Sequence, residues 1–164
     1  MSAGTIRFHF DGRELQAQAG ETIWEAARRH GTHLPHLCHT PGVEGLRPAG
    51  NCRACMVEVE GERVLAASCC RAVEHGMQVR SDTERARTAR RVVMELLASQ
   101  VADAPALRHD SELERWTQAV DARAGRFAPR PAVPPDTSHP AMHVDLSACI
   151  QCTRCVRACR EVQG

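Results

Sequence analysis

Nine cysteines in a chain of 164 residues, gathered into two groups, are the side chains best suited to chemistry. The first group is Cys38, then the pair Cys52 and Cys55, then Cys69 with Cys70 directly behind it. Thirteen residues separate Cys38 from Cys52, and thirteen separate Cys55 from Cys69. Four thiolates complete two tetrahedral irons bridged by sulfide, and one tight C-x2-C pair with two distant cysteines is the outline of a [2Fe–2S] ligand set. Neighbouring side chains in extended chain point to opposite faces, so only one of Cys69 and Cys70 can face a cluster. The second group, Cys149-x2-Cys152-x2-Cys155-x3-Cys159, has the spacing of a [4Fe–4S] run. Where two such runs share a protein, the fourth cysteine of each serves the other cube. With no second run in the sequence, Cys149, Cys152 and Cys155 need an outside ligand, and the set is read as incomplete.

Competing metal readings are weaker. Structural zinc pairs two C-x2-C knuckles, and in the first group only Cys52 and Cys55 are so paired. A Rieske centre needs two histidines on one iron; His39 follows Cys38, but none accompanies Cys52 and Cys55. His33, His36 and His39 are therefore read as solvated or hydrogen-bonded loop residues. Gly42, Gly45, Pro48 and Gly50 fill the loop between Cys38 and Cys52, letting backbone N–H groups approach sulfur. No nucleophile–base pair, phosphate-cradling glycine loop or paired catalytic carboxylates stand out, so no catalytic site is expected.

Composition sets the limits. Aromatic residues make up only 3% of the chain, so a small core needs help, and cluster ligation would close long loops around one centre. The start, MSAGTIRFHF, lacks a charged, apolar secretory leader, and C-x2-C runs in a reducing compartment mean metal; the expected location is cytoplasmic. No apolar run approaches the roughly 18 residues of a membrane span, so no direct membrane insertion is expected. The 21 Lys+Arg against 20 Asp+Glu leave a formal charge of +1, which argues against nucleic acid and for protein partners.

The elements that must hold these cysteines follow from pattern. Ile6, Phe8, Phe10, Leu15 and Ala17 alternate around Asp11-Gly12, the signal of a β-hairpin. Thr22-x-x-Glu25 is a capping box that opens a helix of about nine residues, ended by His30-Gly31. Met56, Val57 and Val59, a turn near Glu60-Gly61, and Val64, Leu65 and Ala67 predict a second hairpin with Cys55 at one end and Cys69 at the other. Met77 and Val79 would close the sheet. Ser81-x-x-Glu84 is read as a second capping box, before a helix with Ala86, Ala89, Val93, Leu96 and Leu97 on one face to about Ser99. Arg85, Arg87, Arg90 and Arg91 are read as its solvated face, with Arg91 pairing Glu95. Ser111-x-x-Glu114 opens another helix, with Leu113, Trp116 and Val120 inward until Gly125. Five prolines between 129 and 140 predict a semi-rigid extended linker.

Several of these stretches resemble a known family. Leu34-Pro35-His36-Leu37-Cys38, Gly50-Asn51-Cys52-Arg53-Ala54-Cys55-Met56-Val57-Glu58-Val59, Ser68-Cys69 and Gly76-Met77 are similar to an N-terminal iron–sulfur region with three homes. These are the large peripheral subunit of NADH-quinone oxidoreductase, the diaphorase small subunit of NAD-reducing hydrogenase, and the alpha subunit of molybdenum-dependent, NAD-linked formate dehydrogenase. In that family the Gly-Met pair lies seven and eight residues past the fourth ligand, which implies Cys69 rather than Cys70. Ser138-His139-Pro140-Ala141-Met142 and the run from Ala148 to Gln163 are most similar to the formate dehydrogenase subunit. The NADH-quinone oxidoreductase relatives also carry a [4Fe–4S] site of one histidine and three cysteines. Residues 98–148 contain no cysteine, so that site is not expected here.

The resulting expectation is an α+β chain: a [2Fe–2S] β-grasp domain over 1–80, a helical spacer over 81–125, a Pro-rich linker over 126–140 and a partial [4Fe–4S] ferredoxin-type motif over 141–164. Its cofactors are a [2Fe–2S] cluster on Cys38, Cys52, Cys55 and Cys69, and a [4Fe–4S] cluster on Cys149, Cys152, Cys155 and Cys159 with added ligands. The function implied is single-electron transfer between clusters in a formate dehydrogenase-like, NAD-linked oxidoreductase, with molybdopterin-containing and flavin/NAD-binding subunits as partners. The alternative is a free-standing, ferredoxin-like carrier.

Overall fold

A computed structural model describes residues 5–101, 111–123 and 125–164. The first four residues, on which the reading of a leader partly rests, lie outside that range, as do 102–110 within the expected spacer. The chain divides into two compact units, residues 1–90 with 153–164, and residues 91–152.

The first unit is built on a five-stranded mixed sheet of order β2-β1-β5-β3-β4. Strands β1 (Ile6–Phe10) and β2 (Arg13–Ala17) pair in the register Phe10↔Arg13 around Asp11 and Gly12. Both turn residues have positive φ, 49° and 78°, the type I′ geometry whose twist matches paired strands. Alternation then buries Phe8, Phe10, Leu15 and Ala17 on one face. Full burial of one such large side chain contributes about 1.5–3 kcal/mol.

Helix α1 (Ile23–Arg29) crosses that face, and its capping box is complete: Thr22 Oγ1 accepts from the Glu25 N–H, and Glu25 Oε2 accepts from the Thr22 N–H. It buries Ile23, Trp24, Ala26 and Ala27. Strands β3 (Met56–Val59) and β4 (Ala66–Ala67) form the second hairpin, and β5 (Gln78–Arg80) runs parallel to β1 and antiparallel to β3. Hairpin, helix, hairpin and a final strand follow in the order the pattern predicts, the last of them landing in the middle of the sheet, which matches the β-grasp expected by analogy.

Helix α2 (Glu84–Ser99) ends where expected, but its start is two residues later than a Ser81 cap would set and has a different chemistry. Ser81 does not cap it. Its N–H and hydroxyl both donate to Asp11, while Thr83 Oγ1 takes the Ala86 N–H. Nor is the arginine face solvated throughout. Arg90 is 8% exposed and donates to the carbonyls of Met56 and Ser81, and Arg85 donates to the Arg63 carbonyl. A long guanidinium with five N–H donors can span carbonyls at the start of β3 and just past β5.

In the second unit Glu95 is buried and pairs with Arg126 at 2.7 Å, while Leu96, read as inward, is exposed. Helix α3 (Glu112–Ala119) is capped by Ser111, whose hydroxyl accepts from the Glu114 N–H; it buries Leu113 and ends at Val120, before the expected Gly125. The proline-rich stretch does not stay irregular to its end. Strands β6 (Asp136–His139) and β7 (Met142–Val144) make a short exposed hairpin around Pro140. Among the described residues, no helix is long and apolar enough to cross a membrane.

Candidate metal centre

Cysteines 38, 52, 55 and 69 come together in the first unit from three separate pieces of backbone. Cys55 enters β3 and Cys69 leaves β4, so the hairpin register Met56↔Ala67 sets them side by side. Ser68 locks this end: its N–H and hydroxyl both donate to the Cys55 carbonyl, at 3.2 and 2.7 Å. A tight turn follows, in which the N–H groups of Cys70 and Arg71 donate to the Ala67 carbonyl. The start of α1 is tied to the same turn, because the Trp24 and Ile23 N–H groups donate to the carbonyls of Ser68 and Arg71. A helix terminus has N–H groups to spare, and here they fix the position of Cys69.

Cys38 arrives on the glycine-rich loop, which Trp24 supports. Its indole Nε1 donates to the Leu34 carbonyl, and its ring meets those of His36 and His39 edge-on at 4.6 and 4.7 Å. His39, expected among solvated or hydrogen-bonded residues, is instead 6% exposed. Burial and the neighbouring His36 hold its imidazole below the usual histidine range. Trp24 is a site-positioning residue the sequence pattern did not single out; its signal was the one aromatic in helix α1.

Cys38, Cys55 and Cys69 are each 1% exposed and Cys52 is half-buried. Cys38 hydrogen-bonds with the thiols of Cys52 and Cys69, and accepts from the backbone N–H groups of Cys52 and Asn51, which together hold it far below the usual thiol range. Cys52 is pushed up by its bond to Cys38 and by burial. Cys55, bonded to Cys69, falls to about 6, and Cys69, bonded to both Cys38 and Cys55 and buried, rises. Thiolates gathered this closely repel one another, a repulsion that cations among them would offset. Among the described residues no three His, Cys, Asp or Glu side chains meet the geometry for one metal ion. A dinuclear cluster takes two thiolates on each iron, four in all, the number gathered here.

Two further features fit a built cluster loop. Arg53, inside the Cys52–Cys55 pair, has φ of 56°, a left-handed conformation non-glycine residues rarely adopt. Gly50 has φ of 67°, and a Cβ there would lie 2.8 Å from the Cys70 sulfur. Cys70 itself is exposed, its sulfur 3.7 Å from that of Cys69.

The terminal cysteines show the same backbone signature. Gln151 and Thr153 have φ of 56° and 62°, and the Gln151 N–H donates to the Cys149 sulfur at 3.4 Å. In the second unit Arg130 gathers the carbonyls of Leu146, Ser147 and Cys149, a role no pattern announced. Cys155 and Cys159 lie in the first unit, exposed on α4 (Arg154–Arg157) and the π-helical turn Ala158–Gln163. That segment rests on the Cys38–Cys52 loop: Arg154 Nη2 donates to the His39 carbonyl at 2.5 Å, Arg157 donates to the Arg47 carbonyl, and Asn51 donates to Thr153 Oγ1 at 3.4 Å.

Residues 3–84 match the family described as 2Fe-2S iron-sulfur cluster binding domain. The chain is 34% identical over 163 residues to a NADH-quinone oxidoreductase subunit of Rickettsia felis, covering 97% of this chain and 24% of that protein. It is 37% identical over 160 residues to the mitochondrial NADH-ubiquinone oxidoreductase 78 kDa subunit of Candida albicans, covering 94% of this chain and 22% of that one. The chain thus spans about a quarter of the length of these relatives. Its fold superposes with a TM-score of 0.81 on a chain from the crystal structure of NAD+-reducing [NiFe]-hydrogenase in the H2-reduced state, at 32% identity over 96% of this chain and 67% of that one. With half its length matched by the family and this fold shared, the chain belongs to the 2Fe-2S iron-sulfur cluster binding domains.

Proposed function

We propose that the chain is the electron-transfer part of a larger NAD-linked oxidoreductase, holding a [2Fe–2S] cluster on Cys38, Cys52, Cys55 and Cys69. The observation that carries this is the convergence of four sulfurs, three of them buried, in a domain of the cluster-binding family. When bound, the cluster supplies reversible one-electron chemistry. The chain's own residues do the rest. Ser68 and the α1 terminus hold Cys55 and Cys69 in register, Trp24 props the loop of Cys38, and burial of the sulfurs excludes water. A centre of this ligand type sits at about −400 mV, in the range for traffic with a nicotinamide–flavin partner.

The finer reading assigns Cys149, Cys152, Cys155 and Cys159 to a [4Fe–4S] cluster completed by a ligand from outside the described residues. Left-handed Gln151 and Thr153 and the N–H bond to the Cys149 sulfur support it. The sequence from 138 to 163 supports a formate dehydrogenase-like assembly, with molybdopterin and flavin/NAD-binding subunits as partners in a reducing, cytoplasmic setting. Electrons then pass singly between the two cysteine groups, and no bond chemistry falls to this chain.

An EPR-monitored redox titration of the anaerobically purified protein tests the proposal. The expected result is a one-electron wave at low potential, carried by a signal that disappears on reoxidation. A protein that stays redox-silent across that range contradicts it.

A further inference from the structure

The C-terminal segment does more than present two cysteines. Three polar contacts bind it to the loop between Cys38 and Cys52. Arg157 is 7% exposed and donates to the Arg47 carbonyl, while Glu161 holds its guanidinium through Nε at 3.1 Å and Nη2 at 3.0 Å. Gly45 lies under the turn, where a Cβ would meet the Glu161 carbonyl and the Val162 side chain at 3.9 Å. Asn51, next to Cys52, donates to Thr153. Arg154 then reaches the carbonyl of His39, the residue directly after Cys38, at 2.5 Å.

We propose that residues 153–164 form a clasp over the cysteine loop, fastened by Arg157, and that Arg154 is a positioning residue that raises the reduction potential of the cluster held by that loop. The inference rests on the reading of Cys38, Cys52, Cys55 and Cys69 as its ligands. Adding one electron at that site, from dithionite or a reduced flavin, makes and breaks no bond and moves no proton; it adds one negative charge. Charge and hydrogen bonding near the thiolates set how readily that charge is accepted. A guanidinium cannot deprotonate in a protein, so Arg154 is a permanent cation one peptide away from Cys38. It favours the reduced form. Arg157, with its charge offset by Glu161, fixes the segment and so the place of Arg154. The residues that fasten Cys155 and Cys159 to the first unit thereby tune the first cluster.

The test compares midpoint potentials of the [2Fe–2S] signal in the full chain by EPR-monitored titration. Arg154→Gln removes the charge and, two bonds shorter than Nη2, also gives up the bond to the His39 carbonyl; Arg154→Lys keeps the charge with nearly the same reach. The Gln variant is expected to lower the reduced-to-oxidised ratio at fixed potential by about threefold, roughly 30 mV at 59 mV per tenfold, and the Lys variant to stay near wild type. Arg157→Met is expected to shift the midpoint in the same direction by releasing the clasp. Arg160→Met is the control: its side chain is 69% exposed and paired with Glu161, so its loss removes a charge screened by water, leaves both Arg157–Glu161 bonds in place and keeps the midpoint where it is. A full-strength signal at the wild-type midpoint in Arg154→Gln overturns the inference, and so does an equal shift in Arg160→Met. A wild-type protein without any [2Fe–2S] signal would instead overturn the underlying ligand reading.

Discussion

Ser81 donates both its backbone N–H and its hydroxyl to the carboxylate of Asp11, each at 2.6 Å. Asp11 occupies the left-handed turn of the first hairpin and Ser81 lies between β5 and α2, so the bond closes a loop of 70 residues around the domain. Hydrogen bonds to a charged acceptor contribute about 1.5–3 kcal/mol each, and the alanine variant would also lack a side chain suited to positive φ. Asp11→Ala is therefore expected to cost about 3 kcal/mol, and Asp11→Asn, which keeps an acceptor and tolerates the turn, about 1 kcal/mol. Thermal unfolding followed by far-UV circular dichroism measures the order; equal midpoints for the two variants contradict it.

Arg90 carries a similar load from inside a helix. Its two amino groups serve the Met56 and Ser81 carbonyls, and burial holds its guanidinium below the usual range. Arg90→Met keeps the stem and strands both carbonyls, for an expected loss of about 2–4 kcal/mol. Arg90→Lys does not restore it, because one ammonium lacks the planar fork that spans two acceptors. Denaturant titration of both variants checks this, and full stability in the lysine variant counts against it.

Gly50→Ala should lower cluster occupancy, because the new Cβ meets the Cys70 sulfur at 2.8 Å on backbone with φ of 67°. Shortening the neighbour relieves only the clash. Gly50→Ala with Cys70→Gly is expected to recover part of the iron content, the remaining deficit reflecting the left-handed strain of about 1–2 kcal/mol. No recovery at all would place the defect elsewhere.

Cys69 and Cys70 differ most plainly in exposure. One is buried among the other three sulfurs and the other faces solvent. Cys70→Ser is expected to leave the reduced EPR spectrum and iron content unchanged, while Cys69→Ser abolishes or alters both. An unchanged spectrum in Cys69→Ser reverses the assignment.

Much of the first unit was legible because its signals are local. Asp11-Gly12 needs only its own backbone to turn, and Thr22 and Glu25 cap each other three residues apart. What escaped depends on distant partners. Ser81 matched a capping box, but Asp11, far away in sequence, offered its donors a charged acceptor and Thr83 took over the helix. Arg90 looked solvated because a charged residue interrupts the apolar stripe, and nothing local reveals two strand-end carbonyls waiting for it. Arg154 and Arg157 sit at three-residue spacing inside a cysteine motif, where sulfur draws the eye; only the folded loop supplies the His39 and Arg47 carbonyls. The β6–β7 hairpin hid among prolines because Pro134 and Pro135 precede it and Pro140 falls in its turn, leaving the paired positions free.

The central claim concerns what Cys38, Cys52, Cys55 and Cys69 hold, and the most direct measurement is iron and acid-labile sulfide per chain in a variant with Cys149, Cys152, Cys155 and Cys159 all changed to serine. A [2Fe–2S] site predicts about two irons and about two sulfides per chain, reducible by one electron. Zinc without sulfide in that variant would contradict the account.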